Sequence, residues 1–66
     1  MYVSFTQYDG VTFIYDTNLS TGDIEHLWNL TRNINPIEER LNAIEDFSKA
    51  AYQRFERVKV ESQFFT

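Results

Sequence analysis

VKVE, residues 58–61, alternates apolar and charged side chains as a half-buried strand does. Yet no glycine or proline follows Pro36, so a helix entered there meets no breaker before this stretch. Counting through it, Ile37, Leu41, Ile44, Ser48, Ala51, Phe55 and Val58 recur at spacings of 4, 3, 4, 3, 4 and 3, a heptad seam that Ser62 and Phe65 continue. Ala43, Phe47 and Ala50 form a neighbouring stripe. The seam predicts one long amphipathic helix over 36–62. The alternation predicts instead a third strand over 57–65 and a ββααβ domain. We take the uninterrupted helix as the expectation and the strand as its alternative.

The choice governs assembly. At 1.5 Å per residue a helix over 36–62 is about 40 Å long, more than a short hairpin and one further helix can cover. Apolar surface would then be left over in a monomer, and pairing the same patch with its copy is the economical cover. The expectation is a homodimer with Leu41, Ile44, Phe47, Ala51, Phe55 and Val58 at the interface. Size argues the same way. A chain of 66 residues buries only about 60% of its unfolded surface, and with no cysteine it has neither disulfide nor thiolate metal site to reinforce it. Six Phe, four Tyr and one Trp add much apolar area for so short a chain.

Upstream of the seam, Asn35-Pro36-Ile37-Glu38 reads as a helix start, with Asn35 capping, Pro36 in the first turn and Glu38 closing a capping box. A first helix is predicted over 22–33, capped by Ser20, with Ile24, Leu27, Trp28 and Thr31 along one side and Leu30 widening the stripe. Residues 17–21 form a connector. Residues 1–16 are rich in β-branched and aromatic side chains around Asp9-Gly10 and read as a hairpin. A two-residue loop would mix polar and apolar side chains on both faces. A three-residue loop, Tyr8-Asp9-Gly10 with Gly10 left-handed, pairs Gln7 with Val11, Phe5 with Phe13 and Val3 with Tyr15. That register gathers the large apolar residues on one face and leaves Tyr2, Ser4, Thr6, Thr12, Ile14 and Asp16 on the other, so it is the one expected. The fold class is α+β: an N-terminal hairpin followed by two helices, in a single small domain over 1–66.

The formal charge is −4, and it is unevenly laid out. Before Arg32 stand Asp9, Asp16, Asp23 and Glu25 with no Lys or Arg; beyond it six acids face five cations. Those four acids, with Tyr2 as an apolar contact, form the expected partner-binding set. Chemistry is scarce. Nucleophilic catalysis needs an activated nucleophile, and the chain has no Cys and one imidazole, His26. Asp23, Glu25 and His26 share little more than one helical turn and make a weak metal site. Glu38-Glu39 and Glu45-Asp46 are sequence neighbours on a helix and point apart, so neither is an acid/base dyad. Two glycines build no phosphate loop. No enzyme, metal or cofactor is expected.

The function expected is binding to another protein, as a small inhibitor or adaptor that docks its acidic face and acts by steric occlusion. Such economy suits a viral or mobile-element product aimed at a host enzyme. The alternative is a dimeric nucleic-acid-binding regulator using Arg40, Lys49, Arg54, Arg57 and Lys59 of the second helix, against which the acidic total counts. Met1–Tyr8 has neither a basic residue nor a long apolar run, and no stretch approaches the roughly 20 apolar residues of a membrane span, so a cytoplasmic, membrane-free protein is expected.

Overall fold

In the computed structural model, which describes residues 1–62, the stretch at 58–61 is a strand. The chain runs β1 (Tyr2–Thr6), β2 (Val11–Thr17), α1 (Thr21–Leu30), α2 (Ile37–Ala50) and β3 (Phe55–Ser62). Both strand pairs are antiparallel and the order is β1-β2-β3, so β3 returns to the open edge of the hairpin and makes β2 central. This is the ββααβ alternative. The expected helix over 36–62 is replaced by α2 and β3, and the part of the strand and seam predictions that falls on Phe65 lies outside the described residues.

A Schellman motif ends the helix without glycine. Beyond Ala50, the Tyr52 amide donates to the Lys49 carbonyl (3.0 Å) and the Gln53 amide to the Ser48 carbonyl (2.8 Å), with Tyr52 left-handed at φ 58°. The physical reason for leaving the helix lies in the sheet. A two-stranded hairpin is marginal in water, and a third strand supplies a second ladder and buries Phe55 to 1% exposure. The Phe55 ring stacks on Tyr15 with centroids 4.4 Å apart.

The hairpin takes the three-residue loop. Val3 faces Tyr15 and Phe5 faces Phe13, the Gln7 amide donates to the Val11 carbonyl (2.8 Å), and Gly10 sits at φ 87°, where a side chain would clash. The Asp9 carboxylate accepts from the Val11 amide at 3.1 Å and fastens the turn. Opposite β2 the register shifts: Ile14 faces Lys59 and Tyr15 faces Arg57, which makes Val58 the extra residue of a bulge.

Phe13, Tyr15, Leu19, Leu41, Ile44 and Phe55 form the buried core, with Val3, Phe5, Ile24, Leu27 and Trp28 packed around it. The expected dimer seam is therefore corrected. Leu41 and Ile44 (both 0% exposed) and Phe55 (1%) are enclosed within one chain and cannot meet a copy. Phe47, Ala51 and Val58 stay exposed, but on a helix face, a helix end and a strand bulge, because the seam was split between two elements.

Both helix starts are informative. Ser20 caps α1, its hydroxyl accepting from the Asp23 amide at 3.1 Å, as expected. The capping box at Asn35 is not made. Pro36, extended at ψ −179°, itself precedes the first helical residue, and no side chain caps α2, so Asn35 stands one position too far out. Arg40 joins the helices: its guanidinium donates to the Thr31 hydroxyl (3.2 Å) and to the Trp28 carbonyl, one of the helix-end carbonyls without a backbone partner, which the Thr31 hydroxyl also reaches at 3.2 Å. α1 also ends sooner than the predicted residue 33, where the Thr31 hydroxyl folds back onto the Leu27 carbonyl at 2.7 Å.

Candidate functional site

α1 has no fully buried residue, and a groove runs along each of its sides. Toward β1 the groove holds about 330 Å³ and is lined by Val3, Phe5, Thr21, Ile24, Glu25 and Trp28. Its floor follows from the hairpin register, which turns Val3 and Phe5 to the helix side of the sheet. Its wall follows from the i, i+4 spacing of Ile24 and Trp28. Phe5 and Trp28 stack across the junction at 5.3 Å. Toward α2 a second groove of about 280 Å³ brings together Asp23, His26, Leu27, Phe47 and Ala51. Each groove thus carries one α1 carboxylate, Glu25 in the first and Asp23 in the second.

The ion pairs among the described residues all lie outside α1. Arg54 Nε lies 3.5 Å from Asp16, Arg57 pairs with Glu38 at 2.9 Å, Lys49 with Glu45 at 3.0 Å and Lys59 with Glu61 at 2.7 Å. The Glu38 hydrogen bond raises Arg57 above its ordinary pKa, and Glu45 does the same for Lys49. Arg40 is spent on α1, and Arg32 donates to the Asn29 carbonyl at 3.2 Å. Every Lys and Arg of the chain is thereby engaged with an oxygen, while Asp23 and Glu25, like Asp9, Glu39, Asp46 and Glu56, have no ion-pair partner among the described residues; unlike α2, α1 carries no Lys or Arg of its own.

The acidic set singled out in the sequence does not form one face. Asp9 is in the hairpin loop and Asp16 at the far end of β2, roughly 20 Å apart at strand rise. Asp16 is also committed internally, to the Met1 ammonium at 3.4 Å and to Arg54. Asp23 and Glu25 belong together on α1. Tyr2 is 70% exposed on the sheet face away from the helices, remote from the first groove. What sequence reading missed is that β1 is, among the described residues, an open sheet edge, because a hairpin alone does not say which strand the rest of the chain will cover. The available signal was the absence of any charge or proline in Tyr2–Thr6.

The basic residues assigned to a second-helix nucleic-acid surface are corrected as well. Only Arg40 and Lys49 lie on α2; Arg54 is in the following loop, and Arg57 and Lys59 are on β3. No group of three or more His, Cys, Asp or Glu side chains is gathered among the described residues, and Asp23 with His26 lies across α1 from Glu25. No helix among the described residues is long and apolar enough to cross a membrane. Compared with known protein families, with curated proteins and with solved structures, the chain finds no match.

Proposed function

We propose that this protein is a non-enzymatic binding module that docks onto another protein through α1 and the grooves beside it, acting as an inhibitor or adaptor by occlusion. The observation that carries the reading is the pairing of unneutralised carboxylates with apolar floors. Glu25 and Asp23 each line a groove rich in aromatic and aliphatic side chains, on a helix with no cation. A protein surface offering apolar side chains flanked by Lys or Arg is complementary to that arrangement, because the apolar contacts supply affinity and the charges fix orientation. Phosphate-rich ligands are repelled by the same layout.

The test is cross-linking capture in cells, identification of the partner and titration of the purified pair by calorimetry. The paired reversal Asp23→Lys and Glu25→Lys should weaken that complex at least about tenfold while Asp9→Lys leaves it unchanged. Asp16 is excluded from the test because its reversal would break contacts that hold β1 and the Arg54 loop. Equal affinity for the wild-type and reversed proteins would remove the α1 reading.

A further inference from the structure

We infer that the partner supplies an extended segment that adds to β1 as a fourth strand, placing alternate apolar side chains in the β1–α1 groove and a basic residue against Glu25. This deepens the protein-binding reading above and rests on it. Met1 and Thr17 exchange both backbone hydrogen bonds (2.9 and 3.2 Å), and Gln7 donates to Val11. By the alternation of an antiparallel ladder, the odd-numbered residues of β1 therefore bond to β2, while Tyr2, Ser4 and Thr6 aim their N–H and C=O groups at the open edge. These are the groups an incoming strand needs.

The two sheet edges are not alike. β3 carries Glu56, Arg57, Lys59 and Glu61 and a bulge at Val58, the devices by which proteins keep an edge from pairing. β1 carries neither charge nor proline nor bulge, and the Met1 ammonium on Asp16 and the Thr17 carbonyl holds its start in place. The unguarded edge is also the one beside the apolar groove. A strand laid along it sets every second side chain over Val3, Phe5, Ile24 and Trp28.

Charge decides between a foreign segment and a second copy of this chain. Two-fold pairing of β1 with itself would bring α1 alongside its own copy on one face of the enlarged sheet, Glu25 toward Glu25, on helices that carry Asp23 and no Lys or Arg. A segment with a Lys or Arg beside its apolar residues meets attraction at the same place.

Trp28 is the only tryptophan and lines the groove, so its fluorescence reads occupancy directly. The probe is a short synthetic peptide of alternating valine and threonine with lysine at both ends, titrated into the full chain. Saturable change in Trp28 emission and slowed amide exchange at Tyr2, Ser4 and Thr6 are expected. Affinity should fall about tenfold or more for the same peptide N-methylated at alternate residues or ended with glutamate. Ser4→Pro removes an outward N–H without touching the β1–β2 ladder, and should abolish binding with the fold intact. Glu25→Lys gives an independent reading should the proline disturb the strand. Unchanged exchange at those amides, or equal affinity of the N-methylated peptide, overturns strand addition. So does exchange protection of β1 that grows with protein concentration in the absence of peptide, which would assign the edge to a second copy. A purified natural partner bound equally by wild type and Ser4→Pro overturns strand addition while the wider binding reading stands; loss on Asp23→Lys with Glu25→Lys alone then locates that other route on α1.

Discussion

The guanidinium carbon of Arg40 lies 3.4 Å from the centroid of the Trp28 ring, and the same side chain hydrogen-bonds the Trp28 carbonyl and the Thr31 hydroxyl. One residue of α2 thereby covers the ring and closes the end of α1. Planarity is what lets a single group do both. Arg40→Ala should cost about 2 kcal/mol, from the lost ring contact and the two lost hydrogen bonds at the helix end. Arg40→Lys, which keeps the charge and loses the fork, should recover less than half of it. Urea unfolding followed by Trp28 emission checks this, and a lysine variant as stable as wild type would show that charge alone suffices.

Tyr15 is 0% exposed, and its hydroxyl has no hydrogen-bond partner among the described residues. An unpaired buried hydroxyl costs about 1–3 kcal/mol, so Tyr15→Phe should leave stability unchanged or raise it. Burial, the largest influence, holds the Tyr15 phenol above its ordinary pKa; Arg57 opposes it and Glu45 and Glu38 assist. The unfolded chain therefore gives up this proton first. Stability from this group is fully present below about pH 10, where an unfolded phenol ionises, and is lost as pH rises toward the folded value. The alkaline decline measured by unfolding above about pH 10 should be shallower in Tyr15→Phe. Parallel declines in the two proteins would refute the assignment.

Tyr52 holds a left-handed conformation at 96% exposure and gains no packing from it. A non-glycine residue in that region costs on the order of 1 kcal/mol or more. Tyr52→Gly should stabilise the protein by about 0.5–1 kcal/mol after the larger backbone entropy of glycine in the unfolded chain is deducted, and Tyr52→Val should destabilise it. Thermal unfolding of the two variants reads both signs.

Leu41 and Phe47 distinguish core from surface within the same helix, since Leu41 is 0% exposed and Phe47 48%. Leu41→Ala should cost about 2–5 kcal/mol and Phe55→Ala about 3–5, comparable with the whole stability of so small a domain. Phe47→Ala should cost about 1 kcal/mol or less. A large loss at Phe47 that depends on protein concentration would instead reveal a copy packed on it.

The hairpin was legible from residues 1–16 because every determinant is local: Gly10 supplies the positive φ, and of the two possible registers the alternation of apolar residues favours the one that segregates them. The Ser20 cap was legible for the same reason. The end of α2 was not, since its stop is made by Tyr52 rather than glycine, and the heptad spacing continued through it by coincidence of a helical period with a strand's alternation. Of the ion pairs, the local i, i+4 pair of Glu45 and Lys49 was legible and is made at 3.0 Å, but the long-range ones were not. Asp16 meets Arg54, and Glu38 meets Arg57, across a sheet and a helix that sequence distance does not bring together.

The order of residues by itself determined an α+β domain, the hairpin with its loop and facing, the start of the first helix, and an acidic front half without a cation. Those depend on periodicity, turn chemistry and charge counts, which act over a few residues. The choice of strand over helix at 58–61, which local alternation offered as an alternative, the enclosure of Leu41, Ile44 and Phe55, the edge position of β1 and the placing of Asp23 and Glu25 in separate grooves were decided only in three dimensions. Which surface is covered, and which charges are neutralised across elements, depends on contacts between segments distant in the chain, and a local pattern does not carry that information.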